Sequence, residues 1–299
     1  MIRAMVKRQA GLSLIELMIG IALSLLLILG VTQIFLSSKA SYSNNQALSA
    51  VQENGRFAIE LLSRDIRNAG YKGQCLSMPV NHLDGGSSDL WAQNDEPIHG
   101  WETAKPNFIS RAVVAESDTL FIQFAAGAND VTGQAGNSAS SNDISFDPNS
   151  VSIADGNVTL IADGLACDLF ENKDSGSGTI SKDAASTWSH DYTDDFEILT
   201  LQSVAYYVAE DDEGVPTLYR SRLKYDLSDE EAEPLVPGIA SLNIEYGVGT
   251  NRAVNNYVVA SSVTNWGNVS SVKLTLDVVS PAGLQKEFST IVGLRNRLP

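Results

Sequence analysis

Cysteine and histidine are scarce in this 299-residue chain: Cys75 and Cys167, then His82, His99 and His190. They are too few and too scattered to make a metal-ligand cluster. No histidine has an acid–base partner nearby in sequence. The G-x-S-x-G, H-E-x-x-H and phosphate-loop patterns are missing too. The chain does not read as an enzyme, and no cofactor or metal is expected. Basic residues are the minority, 20 against 36 acidic, for a formal net charge of −16. That balance argues against nucleic-acid binding, which wants a positive surface. Proline is missing from Lys39 to Ala69, and charge is missing from Leu17 to Ser38.

These last two absences frame what is present. Arg3, Lys7 and Arg8 precede Gly11, and an apolar run follows with one acid, Glu16, near its start. The uncharged stretch is about 33 Å long as a helix, enough to cross a bilayer core. The basic leader stays cytoplasmic by the positive-inside bias, and the remainder is exported. A secretory signal peptide would have a shorter apolar core and a better cleavage site than Ser38-Lys39-Ala40. A plain anchor fits the length but leaves Glu16 unexplained, because a carboxylate in lipid costs several kcal/mol unless compensated. Cleavage between Gly11 and Leu12 would put a new α-amine four residues from Glu16 and supply that compensation. Gly20, Ser24 and Gly30 are small enough to let helices approach closely.

The run Gly11-Leu12-Ser13-Leu14-Ile15-Glu16-Leu17 resembles the cleavage and methylation motif of type IV prepilins. The resemblance implies that a membrane prepilin peptidase cuts after Gly11 and methylates Leu12. It implies that Glu16 is the charge partner in assembly. Leu12 departs from the usual phenylalanine. A second resemblance, to PilW-like minor pilins, is carried by Arg64 to Tyr71, Ile244 to Thr250, Trp266 to Val269 and Leu294 to Arg297. It implies a low-abundance subunit that primes assembly with other minor pilins and the major pilin. Such a subunit sits in the inner membrane, then at the pilus tip, where it can carry an adhesin.

The organisation predicted is a leader (1–11), a transmembrane or filament-core helix (12–38), an amphipathic helix packed on the head (39–70) and a periplasmic head (71–299). Leu48, Val51, Gly55, Ala58, Leu62, Ile66 and Ala69 recur at helical spacing. Glu53, Arg56, Glu60 and Arg64 lie on the opposite surface. Gly70 and Gly73 end the helix. The fold class is α+β and type IV pilin-like, a long helix on a mainly antiparallel sheet with long loops. Strands are expected at Thr119–Ala125, Val158–Ile161, Cys167–Phe170, Leu201–Ala209, Pro216–Leu223, Ile239–Val248, Val269–Val279 and Lys286–Gly293. Residues 74–117, 127–150 and 171–195 read as irregular polar loops, with Trp91 and Trp101 either sealing the first against the core or serving as contacts for a partner. Ser228 to Glu233, before Pro234 and Pro237, reads as an exposed link. Asp191, Asp194 and Asp195 match no calcium-loop spacing and read as solvated surface. Cys75 and Cys167 either form one disulfide in an oxidising compartment or remain two buried thiols. The leading function is a PilW-type minor pilin. The alternatives are a minor pseudopilin of type II secretion and a permanently anchored periplasmic binding module.

Overall fold

The structure, a computed structural model, describes residues 13–83, 96–147, 153–174, 176–183, 186–193, 195–223, 232–250 and 253–297. The chain divides into two compact units, 1–50 and 51–299. Helix α1 (Leu14–Asn68) runs through 55 residues. The uninterrupted run has no proline to remove a backbone donor. In the first unit its residues are solvent-exposed almost throughout.

In the second unit the apolar stripe of α1 is buried. Ala58, Leu62, Ile66 and Ala69 are fully enclosed and Val51 nearly so. Each large apolar side chain enclosed in this way stabilises the head by about 1.5–3 kcal/mol. Leu48, expected on the same face, is exposed. Gly55 lies against Phe288, whose ring occupies the space a Cβ would need. The charged residues Glu53, Arg56, Glu60 and Arg64 face solvent.

Among the described residues, fourteen strands follow. In chain order they are β1 (Val80–Asn81), β2 (Ile98–Trp101), β3 (Thr119–Thr132), β4 (Asp143–Ser145), β5 (Val158–Ala162), β6 (Cys167–Glu171) and β7 (Thr179–Ser181). The second half holds β8 (Asp195–Glu210), β9 (Pro216–Leu223), β10 (Glu233–Pro237), β11 (Ile239–Thr250), β12 (Ala253–Val258), β13 (Val269–Val279) and β14 (Gln285–Gly293). The larger sheet has the order β1-β6-β5-β8-β3-β2, with β9 on β8 and β10 on β9. The smaller has the order β12-β11-β13-β14, and β4 pairs with β7 alone. Among the described residues, only the short β1–β6 pairing is parallel. The main core is shared: the α1 stripe meets Ile98, Leu120 and Val204 of one sheet and Leu242, Leu274 and Val292 of the other. One helical stripe thus covers both sheets, which makes the fold α+β and type IV pilin-like.

The expected strands are present, but the polar stretches hold more structure than their composition predicts. Strand β3 continues to Thr132 through a register shift after Ala126, at Gly127, whose φ of +75° suits glycine. Residues 127–150 are therefore not one long loop, since β4 also falls there with Ile144 and Phe146 buried. Residues 171–195 likewise contain β7 and bury Ile180, Trp188 and Tyr192. In residues 74–117, β1 and β2 replace part of the expected irregular chain. Glu233, Pro234 and Pro237 are not a link but lie in β10, which pairs with β9 through a bulge. Prolines are tolerated there because β10 is an edge strand. Residues 228–231 lie outside the described residues.

Two asparagines, Asn172 fully buried and Asn137 half-buried, hold these polar loops. The Asn172 amide donates to the carbonyls of Ile153 and Asp174, and its oxygen accepts from the Ser181 amide at 3.1 Å. Asn137 donates to the Tyr192 carbonyl at 2.7 Å and to that of Ser145 at 2.9 Å. A disulfide joins Cys75 to Cys167. It ties the segment after α1 to the start of β6, and such a link stabilises by about 2–4 kcal/mol.

Candidate functional site

The first turn of α1 is built from Ser13 and Glu16. The Glu16 amide donates to Ser13 Oγ at 3.4 Å and to the Ser13 carbonyl at 3.1 Å. Ser13-Leu14-Ile15-Glu16 is thus the serine-x-x-glutamate pattern of a capping box, with Glu16 at the third helical position. That pattern was available in the sequence and gives Glu16 a second physical reason, since an acid is favoured at the positive end of the helix dipole. Glu16 is exposed. Gly11 and Leu12 lie outside the described residues.

Beyond this turn the helix shows apolar surface on every side. Leu14, Met18, Leu25, Ile28 and Phe35 are each more than half exposed. The hydroxyls in this stretch are satisfied internally: Ser24 Oγ donates to the Gly20 carbonyl at 2.6 Å and Thr32 Oγ1 to the Ile28 carbonyl at 2.7 Å. No polar group on those side chains then needs water, which suits a lipid setting. A Cβ built on Gly20 or Gly30 would meet nothing within 4 Å, so both leave bare notches. The helix is long and apolar enough to cross a membrane.

The lower end of α1 is fixed within the head by main-chain and side-chain bonds. The Gly70 amide donates to the Gln123 carbonyl at 2.8 Å, and the Ala125 amide to that of Tyr71 at 2.8 Å. Gly70 has φ +75°, the left-handed geometry of a helix C-cap. Asn296 Nδ2 donates to the carbonyls that end the helix, those of Asn68, its last residue, at 3.2 Å and of Ala69 just beyond it at 3.1 Å. Buried Asp65 accepts a hydrogen bond from Tyr206 on β8. Burial, then the Asp65 charge, raises the Tyr206 hydroxyl above its ordinary range.

The quoted C-terminal motifs form the junction between the sheets. Tyr246 is fully buried and its hydroxyl lies where a Cβ on Gly100 would stand. A Cβ on Gly247 would overlap the Ser271 hydroxyl. Trp266 packs edge-on to Tyr246, 4.7 Å between centroids, and stacks on His99 at 4.3 Å. Burial pushes His99 down to about 4, opposed by a backbone hydrogen bond at Gly100. Trp101 packs on Phe108 and Phe121 in a second cluster beside the disulfide. Trp91 lies outside the described residues.

One grouping escaped the sequence reading entirely. His82 meets Asp168 and Ser186, residues 86 and 104 positions away. Asp191 accepts from the Ala139 amide at 2.5 Å, and Asp194 lies outside the described residues. Among the described residues no three His, Cys, Asp or Glu side chains are grouped to hold a metal ion.

A bare apolar N-terminal helix leading into a stripe that closes an antiparallel head defines a type IV pilin-like protein. Residues 6–32 match the family described as Prokaryotic N-terminal methylation motif. Residues 205–291, from β8 into β14, match the family described as Type IV Pilus-assembly protein W. Comparison with curated proteins and with solved structures returned no match. The two matches and the fold make this a type IV pilin-like protein, with an N-terminal helix fit to anchor it in a membrane and a globular head.

Proposed function

We propose that this chain is a PilW-type minor pilin that primes type IV pilus assembly and then sits at the pilus tip, acting by docking. The observation that carries the reading is the pairing, in one chain, of a methylation-motif N-terminus with a PilW match over the C-terminal strands. In this reading a prepilin peptidase removes residues 1–11 after Gly11 and methylates Leu12. Residues 12–38 occupy inner-membrane lipid before assembly and the filament core after it. Residues 39–70 continue the helix onto the head, and residues 71–299 form the docking head. Partners are other minor pilins, the major pilin and a tip adhesin. Glu16, at the fifth position of the mature chain, compensates the new α-amine of its own or a neighbouring subunit in an apolar setting.

Three measurements test this, one on the native product and two on a deletion strain. N-terminal sequencing of the membrane-fraction product should begin at Leu12, and an uncleaved start would sink every filament reading. Loss of surface pili with secretion intact supports the pilus. Loss of secreted proteins with pili intact transfers the chain to the pseudopilus of type II secretion. Glu16→Ala should leave cleavage intact while cutting piliation at least about tenfold, as loss of roughly 1.4 kcal/mol would; unchanged piliation refutes the charge role.

A further inference from the structure

Outside the helix and the sheet junction, the head contains a second polar construction. Asp168 on β6 is fully buried. Its Oδ2 accepts from the hydroxyls of Tyr192 at 2.6 Å and Ser189 at 2.5 Å, and its Oδ1 takes His82 Nε2 at 2.5 Å. The Ser189 amide donates to the same carboxylate at 3.1 Å. The His82 side chain is only 2% exposed. Its other nitrogen, Nδ1, lies 2.6 Å from Ser186 Oγ. Ser186 is exposed, and it lines a hollow of about 510 Å³ with Asn81, Ser140, Asn142 and Thr187.

The network dictates the direction of each bond. A carboxylate that accepts from three other donors has only acceptor capacity to offer the imidazole. In the neutral ring the proton therefore sits on Nε2, and Nδ1 is an acceptor. The Ser186 hydroxyl must then donate to it. A solvent-facing hydroxyl is thus bonded to a buried base, and the base is oriented by a buried carboxylate. This is the arrangement that activates oxygen nucleophiles, with the two imidazole nitrogens exchanged relative to the familiar serine triad. Lys182 holds the backbone in place. Its ammonium donates to the carbonyl of Ser186 and lies 4.9 Å from the Trp188 ring centre.

We propose that Ser186 is an acyl-acceptor site, a hydroxyl activated by His82 and taking an acyl group from an activated carboxylic ester. Ser186 Oγ attacks the ester carbonyl carbon, forming a seryl ester and breaking the bond to the leaving alcohol. The hydroxyl proton passes to His82 Nδ1 and on to the departing oxygen. No electrons are exchanged. Asp168 is a positioning residue. The reaction is stoichiometric modification of the head, compatible with a docking subunit, and it does not depend on the pilus reading.

The test uses the full chain in detergent with p-nitrophenyl acetate, scored as a hydroxylamine-labile ester by peptide mass mapping. Ser140 is the internal control: it is exposed and lines the same hollow, but its hydroxyl faces Ser138 at 3.0 Å. Ser186 should carry one acetyl group and react at least about 100-fold faster than Ser140. Equal labelling of the two, or no ester at Ser186, overturns the proposal. His82→Gln should slow Ser186 labelling by about 100-fold while Ser140 is unchanged. Equally fast labelling in that variant also overturns it. If that variant does not fold, the selectivity within the native chain decides alone.

Discussion

Residues 14–36 and residues 51–68 lie on one helix, which runs on into Ala69, and they meet opposite fates. Leu25, Ile28 and Phe35 in the first stretch are exposed by 57%, 61% and 65%, whereas Ala58, Leu62 and Ile66 in the second, and Ala69 at its end, are at 0%. The first stretch is apolar all round and must be surrounded by lipid or by other helices. The second is apolar on one side only, and its own head supplies the cover. Periodicity decides where a helix finds its partner: a stripe can be satisfied within the chain, a full girdle cannot.

Leu62→Ala should test that division most severely. Removing a fully enclosed leucine should cost the head about 3 kcal/mol, read as a lower urea midpoint for the full chain in detergent; a loss under about 1 kcal/mol would mean the stripe is not the keystone. Asp65→Ala should cost about 2 kcal/mol, because the Tyr206 hydroxyl loses its buried acceptor. The next effect is pH-dependent and belongs to the junction beneath the stripe. His99 is pushed down to about 4 from its usual 6.5. Its neutral form is the one the fold accepts, so stability is full above pH 6.5 and falls as pH drops from there to about 4. The shift corresponds to at most about 3.4 kcal/mol, and screening of a half-buried ring reduces that to about 1.5. Subtracting the profile of His99→Gln isolates this component from the carboxylates; identical profiles would remove His99 from the account. Smallest of all, Leu26→Ala in the girdle should change head stability by less than about 0.5 kcal/mol. A larger shift in the same urea titration would erase the contrast between the two stretches.

The helix was legible because its signals are local: no proline, an unbroken apolar run, then spacings of three and four. The long strands of the second half were legible for the same reason. Strands β4 and β7 were not. Each carries a single deeply buried residue, Ile144 and Ile180. Their order depends on distant pegs such as Asn172 and Tyr192, which composition counts as loop residues. Gly55 and Gly100 illustrate the same limit. Each clears room for a ring more than a hundred positions away, Phe288 or Tyr246, and neither glycine announces this in its neighbourhood. The Asp168 network combines residues from three separated segments, so no spacing rule could have found it.

The bond from Asn296 to the end of α1 carries a lesson about timing. The helix end is synthesised 228 residues before the amide that caps it. Strand β14, whose Phe288 fills the notch at Gly55, is similarly late. The stripe on residues 51–69 therefore spends most of the chain's production uncovered, while the girdle before it can enter lipid at once. Anchoring comes first and closure of the head comes last. A chain interrupted before β14 would be tethered at the membrane with its apolar stripe bare, a ready target for quality-control proteases.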